Sequence, residues 1–372
     1  MASNSNDEPI FVTRPFLPPL EEVLPHLESI WSKRVLTNQG PLHQRLEAGL
    51  ATFLGVDRIS LTANGMLALE AALEAANLDG EVITTPYSFV ATTHAIRRAG
   101  LEPVFADIRD HDLNIDPERV ERAITPRTSA IVAVHCYGNP CTTGQLEEIA
   151  QRHGLTLIYD AAHAFGVEKD GRTILSEGDF SALSFHATKA FNTFEGGAVI
   201  SSSAERKQAI DRIRNFGIVD ELNIPDVGGN AKMNEFNAAI GLVQLTHFEE
   251  VRVARGKVDA AYRAALLDVP GIDPIETPSG VRSNFSYFPV RVRPEYPLSR
   301  DDLYDRLKAN GIFSRRYFYP LLSTLPAYRD LASALPSNLP VASEAAGQIL
   351  CLPIYHDLAI EDQERIIDLI RG

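Results

Sequence analysis

Leu155-Thr-Leu-Ile-Tyr-Asp160 and Phe180-Ser-Ala-Leu-Ser-Phe-His-Ala-Thr-Lys189 are the stretches on which the reading of this chain turns. Each begins as a short apolar run of the kind that forms a buried strand, and each is closed by one charged side chain. Ligands of open α/β sheets bind outside the carboxyl ends of the strands. Asp160 and Lys189 therefore stand where such a site is built.

Working outward, similar runs at 58–62, 81–85, 103–106, 129–135 and 197–201 read as strands. Between them, Asn64–Ala76 and Phe89–Ala99 carry helical periodicity, and Asp116-Pro117 and Thr143 look like helix starts. This alternation predicts βαβ units and a doubly wound α/β domain with a mainly parallel, seven-stranded sheet. After Asn234, the stretch Glu235–Leu267 reads as one long helix or two, and Pro and Gly at 270, 271, 274, 278 and 280 break it. Beyond the break come a strand over Phe285–Val292, a helix capped by Ser299 and running to about Asn310, and a last helix over Glu361–Ile370. The expected division is a large domain over 1–250, with an N-terminal arm, and a smaller C-terminal α/β domain over 251–372. The first eight or so residues are expected to form a loose tail.

Composition narrows the function. A chain of 372 residues, 45% hydrophobic and 23% charged, is that of an ordinary globular protein, and its length suits two domains. A net charge of −14 argues against nucleic-acid or anionic-membrane partners, which call for a basic surface. The opening Met1-Ala-Ser-Asn-Ser-Asn-Asp-Glu8 has neither a basic nor an apolar region, so no signal peptide is expected, and no apolar run is long enough to span a bilayer. Cys136, Cys141 and Cys351 are odd in number and lack metal-ligand spacing, even with His135 beside the first. No metal is expected, and a reducing compartment, the cytoplasm, is.

A lysine and a carboxylate at neighbouring strand ends are what pyridoxal 5'-phosphate (PLP) needs. The amine forms a Schiff base with its aldehyde, and the carboxylate keeps the pyridine nitrogen protonated so that the ring accepts electrons. A helix cap would explain Asp160 alone equally well. The phosphate needs backbone N–H groups at a helix start, and Thr62-Ala-Asn-Gly-Met-Leu-Ala-Leu69 offers a strand, a polar cap at Asn64, a glycine and then a helix. By itself Asn-Gly is usually only a turn. Ser184 can add a hydroxyl, and Phe89, in Thr84-Thr-Pro-Tyr-Ser-Phe-Val-Ala-Thr92, can stack on the ring, as His163 can touch its edge. Core packing accounts for these three separately as well.

Taken together, Asp160-Ala-Ala-His-Ala-Phe-Gly166, Ser184-Phe-His-Ala-Thr-Lys189 with Phe194-Glu-Gly-Gly197, and Gly229-Asn-Ala-Lys-Met-Asn-Glu235 resemble the DegT-type sugar aminotransferases. These are PLP enzymes of the aspartate-aminotransferase fold (fold type I) that act on nucleotide-linked keto sugars. The resemblance runs from about Phe11 to Pro353. It implies Lys189 as the Schiff-base lysine, Asp160 as the pyridine partner, Phe89 as the stacking residue and His163 as a ring neighbour. Gly65, Met66 and Ser184 would hold the phosphate, joined by Asn230 from the second subunit of a homodimer with a shared active site. Where many relatives have Thr, this chain has Met66, which carries over only its backbone N–H and so implies weaker cofactor retention.

Arg14-Pro-Phe-Leu-Pro-Pro19, Thr37-Asn-Gln-Gly-Pro41 and Gly311-Ile-Phe-Ser-Arg-Arg-Tyr-Phe-Tyr-Pro320 are most similar to the members that aminate dTDP-4-keto-6-deoxy-D-glucose. L-glutamate would be the amino donor, leaving 2-oxoglutarate and pyridoxamine 5'-phosphate after the first half-reaction. Arg315 and Arg316 beside Tyr317 combine cationic forks with a flat face, suited to a pyrophosphate and a base or sugar. An arginine pair over small-domain aromatics is the alternative. Amination at carbon 3 is the nearest rival reaction. PLP-dependent sugar dehydratases of this fold carry His at the lysine position, a regulatory dimer would show a damaged lysine or carboxylate, and a Rossmann dehydrogenase would need Gly-x-Gly-x-x-Gly after an early strand.

Overall fold

The computed structural model describes residues 8–372, so the expected N-terminal tail lies almost wholly outside the described residues. All seven expected strands form, and they make one sheet in the order 59–62, 197–201, 180–184, 156–160, 128–134, 81–84, 102–105. Neighbours pair in parallel except for Gly197–Ser201, which runs antiparallel to both strands beside it. Ile158, Ala182, Val132 and Val82 are buried on one face, and Leu157, Tyr159, Ile131 and Ile83 on the other. A parallel sheet covered on both faces needs such continuous apolar strands.

Helices start where short polar side chains can satisfy the free N–H groups of a first turn. Asn64 accepts from Leu67 N–H at 2.9 Å to open Gly65–Ala75, and Asp116 accepts from Glu118 N–H at 3.0 Å to open Pro117–Ala123. The Glu235 carboxylate does the same for a different helix, accepting from Leu42 and His43 N–H at 2.9 and 2.7 Å at the start of Pro41–Leu54. The expected helix at Phe89 begins two residues later, over Ala91–Arg98, because Phe89 and Val90 complete the turn that follows the strand.

Glu235–Leu266 is one helix of 32 residues, so it crosses the boundary expected at residue 250. Its later part packs against the last helix, Ile360–Arg371, in a second core with Tyr262, Leu266, Phe288, Val290 and Ile366. That core backs a three-stranded antiparallel sheet of Ile272–Pro274, Phe288–Val292 and Ile349–Leu352. The strand expected from Phe285 starts only at Phe288, because the Asn284 side chain accepts from Ser286 N–H at 3.0 Å and Phe285 takes a φ of 53°. Helices over Leu20–Lys33, Pro41–Leu54, Ala204–Ile213 and Pro340–Gln348 were not read from the sequence. In the first, Pro25 lies inside the helix and Leu20, Leu24 and Trp31 are exposed, which blurs the apolar stripe that marks a helix.

The two sheets are tied together at named points. Asp107, just past the edge strand of the large sheet, accepts from Val341 and Ala342 N–H at 3.0 and 2.9 Å. Ile10–Phe11 pairs in parallel with Ile312–Phe313, and the chain then passes Phe16, whose carbonyl accepts from Asn192 at 3.3 Å and Gln244 at 2.7 Å. The N-terminal segment thus reaches from a separate two-stranded ribbon with Ile312–Phe313 to the loop that carries Lys189. No helix of the described residues is long and apolar enough to cross a membrane.

Candidate active site

A cavity of about 490 Å³ opens at the carboxyl ends of the strands Thr156–Asp160 and Phe180–Ser184. It brings together Gly65, Met66, Phe89, Asp160, His163, Ser184, Lys189 and Tyr317 from the expected set. Arg315, Arg316 and Asn230 do not line it. Arg316 is turned into the smaller domain, its guanidinium 3.8 Å from the Tyr304 ring centre and its Nε 2.8 Å from Asp301 Oδ1, so the expectation that it faces a substrate is corrected. The Arg315 backbone is fixed by a two-way bridge to Cys351, while its side chain is exposed. Asn230 is exposed and bridges Asn215.

Asp160 is buried at its strand end. Thr92 Oγ1 donates to its Oδ2 at 2.7 Å, Ala162 N–H donates to its Oδ1 at 3.1 Å, and Ser88 Oγ lies 2.8 Å from Thr92 Oγ1. Burial still holds the Asp160 carboxyl above the usual carboxylate range, against those hydrogen bonds and the Lys189 charge. Lys189 lies 5.9 Å from the Tyr287 ring centre, and burial brings its amine down to about 8, with Asp160 pulling the other way. His163 is stacked on Phe318 at 5.7 Å between ring centres and is held neutral by burial, and then by the nearby Lys189. Its buried Nδ1 has no hydrogen-bond partner among the described residues.

The start of the Gly65–Ala75 helix is built to approach the strand beside it. A Cβ at Gly65 would stand 2.6 Å from Ser184 Cβ, and one at Gly197 would stand 2.6 Å from the Asn64 carbonyl oxygen. Asn64 takes Leu67 N–H, and the N–H groups of Gly65 and Met66 find no acceptor among the described residues. Two free amides at a positive helix end, with the Ser184 hydroxyl against them, form a cradle for a phosphate.

These features fit PLP. The cradle suits its phosphate, the Asp160 carboxylate fixed by Thr92 and Ala162 suits a protonated ring nitrogen, and the Lys189 amine can meet an aldehyde. Several cavity residues were missed in the sequence. Ser88 lines the cavity and Thr92 stands behind it on Asp160; the two lie four positions apart, across the turn and the start of the Ala91–Arg98 helix, and were within reach of a reading of that turn. Tyr287 and Phe318 come from distant parts of the chain, and no local spacing marks them.

Fold and cavity define a class, the PLP-dependent aminotransferases. Within it, the pattern of the DegT/DnrJ/EryC1/StrS aminotransferase family matches residues 20–371, and the chain belongs to that family. It is 53% identical over 366 residues to a dTDP-4-amino-4,6-dideoxy-D-glucose transaminase of Shigella dysenteriae, covering 98% of this chain and 99% of that protein. A dTDP-4-amino-4,6-dideoxy-D-glucose transaminase of Escherichia coli is 50% identical over 368 residues, with 99% of each chain covered. Among solved structures, DesI in the presence of its TDP-sugar product superposes with a TM-score of 0.94 at 39% identity, covering 100% of this chain and 94% of that one.

Proposed function

We propose that the chain transfers the amino group of L-glutamate to dTDP-4-keto-6-deoxy-D-glucose, giving dTDP-4-amino-4,6-dideoxy-D-glucose. The observation that carries the reaction type is a lysine amine brought down to about 8 beside a buried carboxylate in one cavity. Identities of 53% and 50% to the two transaminases named above support the sugar.

Bound PLP supplies an electrophilic aldehyde and a ring that accepts electrons. Lys189 Nζ would hold the cofactor through its aldehyde and would be freed when L-glutamate takes its place. Part of that amine is then neutral near pH 7, so Nζ can take the α-proton of the donor and return a proton to the product. Asp160 would hold the ring nitrogen and keep its proton in place. The amides of Gly65 and Met66 and the hydroxyl of Ser184 would hold the phosphate, Phe89 would cover the ring, and neutral His163 would lie beside it. Tyr317 and Arg315 border the path of the nucleotide sugar.

Two copies complete the site in this reading. Phe216, Val219, Leu222, Ile224 and Val227 are exposed along the segment that ends at Asn230, and an apolar row of that kind is suited to cover by a second subunit. Asn230 would then bind phosphate in the partner's cavity. The large domain is taken as 1–250 and the small one as 251–372, and the enzyme works in the cytoplasm. The test is to load the purified protein with L-glutamate and offer dTDP-4-keto-6-deoxy-D-glucose and its 3-keto isomer separately. A product aminated at carbon 4, from the first substrate only, is expected; amination of the 3-keto isomer alone would move the assignment to the 3-aminotransferases.

A further inference from the structure

One polar pair in the cavity is left unused by the cofactor cradle. His186 and Glu195 both line it, on the two limbs of the loop that contains Lys189. Thr188 N–H points to His186 Nδ1 at 3.2 Å, and the Thr188 hydroxyl lies 2.8 Å from the same nitrogen. An Nδ1 that accepts from a backbone amide leaves the proton of the neutral ring on Nε2. Nε2 faces Glu195 Oε1 at 3.7 Å, too far for a direct hydrogen bond, so the carboxylate keeps its acceptor positions. The Glu195 backbone is fixed: its N–H donates to the Thr193 carbonyl at 2.9 Å, and the Thr193 hydroxyl donates to its carbonyl at 2.8 Å.

A carboxylate here works against the ligands of the reaction. L-glutamate brings two carboxylates and the nucleotide sugar a pyrophosphate, while the cavity lining includes no arginine and Lys189 as its one lysine among the described residues. Like charges at close range weaken binding. An acceptor-only group that repels the anionic parts of both ligands finds its use on the neutral, donor-rich part of one of them, the hexose hydroxyls. The 3.7 Å gap also has the right size, since a hydroxyl oxygen can sit about 2.8 Å from both atoms at once.

We propose that Glu195 and His186 form the hydroxyl-reading part of the sugar subsite. Glu195 accepts a hydrogen bond from the hydroxyl next to the reacting carbonyl, and His186 Nε2–H donates to the same oxygen. This inference rests on the nucleotide-sugar reading above. It makes the loss of one charge weaken the sugar half-reaction and not the L-glutamate half-reaction.

The test uses the holoenzyme, with each half-reaction followed separately by the absorbance of the cofactor. In Glu195→Ala the KM for dTDP-4-keto-6-deoxy-D-glucose is expected to rise about tenfold or more, as for loss of a hydrogen bond to a charged group. The rate with L-glutamate should stay level or increase. Calorimetric binding of the 4-amino sugar product should weaken in parallel, and a 3-deoxy analogue should show the same KM with wild type and variant. Should Glu195→Ala fail to fold, Glu195→Gln keeps the volume and reads the loss of charge alone, about threefold on the sugar side. Equal losses in both half-reactions, or no change with the sugar, overturn the subsite. A wild type that aminates neither keto sugar overturns the sugar reading itself, a result separable from a variant that behaves like an active wild type.

Discussion

Asp160 and Lys189 are placed by the strands they follow, whereas Tyr287, Tyr317 and Phe318, across the same cavity, are placed by residues far away in the chain. On the strand side, sheet register brings Asp160 opposite Ala182, and the loop after Ser184 brings Lys189 back over it. On the aromatic side, the Tyr317 carbonyl accepts from the Tyr137 hydroxyl and, at 3.3 Å, from the Tyr87 hydroxyl. The carbonyl of His163 is held in turn by Asn284 Nδ2 at 2.8 Å. One side is a consequence of secondary structure and the other of tertiary contact. In the function proposed above, the transamination chemistry would fall to the first side, and features that distinguish substrates can vary on the second without disturbing the sheet.

The largest effect on the strand side is expected at Lys189. In Lys189→Met, turnover should fall by about 10⁴-fold or more, since both covalent anchor and proton carrier are gone. The apoprotein gives a second readout with a fixed sign. The amine titrates near 8 in the folded chain against 10.5 for the ordinary lysine, so between those values the unfolded chain holds the proton and the folded chain does not. Stability from this group therefore rises as pH rises through that window, and below it the wild type carries the full cost of a buried ammonium. Lys189→Met apoprotein should melt higher than wild type at pH 7, and the gap should close by about pH 10.5. Equal melting at pH 7 would mean that the cavity solvates the ammonium.

A smaller effect on the same side is expected at Gly65. Only the absence of a Cβ lets this helix start pack on the strand end, since a Cβ at Gly65 would stand 2.6 Å from Ser184 Cβ. Gly65→Ala should push the two free amides away from the phosphate position and raise the PLP dissociation constant about 10- to 100-fold, the range for forced overpacking. Fluorescence titration of the apoprotein checks this. Retention like that of wild type would show that the phosphate is held elsewhere.

These strand-side residues were legible because two periodicities and a few short polar residues fix them locally. The runs ending at Asp160 and Ser184, and the polar Asn64 before Gly65, can be found with no knowledge of what lies across the cavity. The seven strands of the large sheet follow from the same kind of signal. What escaped reading has a different origin. Thr92 matters because it reaches a carboxylate 68 positions away, and Tyr287 because the Asn284 turn delays the start of the strand to Phe288 and leaves Tyr287 in the loop before it. Neither contact leaves a periodic trace. Arg316 was misplaced for a related reason: a guanidinium beside aromatics suits a ligand and a protein surface equally, and only the position of Tyr304 decides between them.

Arg316 also supplies the smallest expected effect and the finest test. Its side chain lies against Tyr304 and pairs with Asp301, which also contacts Arg300 Nε at 2.8 Å. Arg316→Ala therefore removes a cation–π contact and a half-exposed ion pair within the smaller domain, about 1 kcal/mol of stability in all. The melting temperature should drop by a few degrees while kcat/KM for the nucleotide sugar changes less than about threefold. Tyr317, one residue further on, lines the cavity and leads in the opposite direction, so Tyr317→Ala should act on KM more than on melting. A tenfold rise in KM for Arg316→Ala would mean that the guanidinium leaves Tyr304 when substrate binds. The aromatic wall would then be a moving part rather than a fixed one, and its difference from the strand-end floor would be one of mobility as well as of origin.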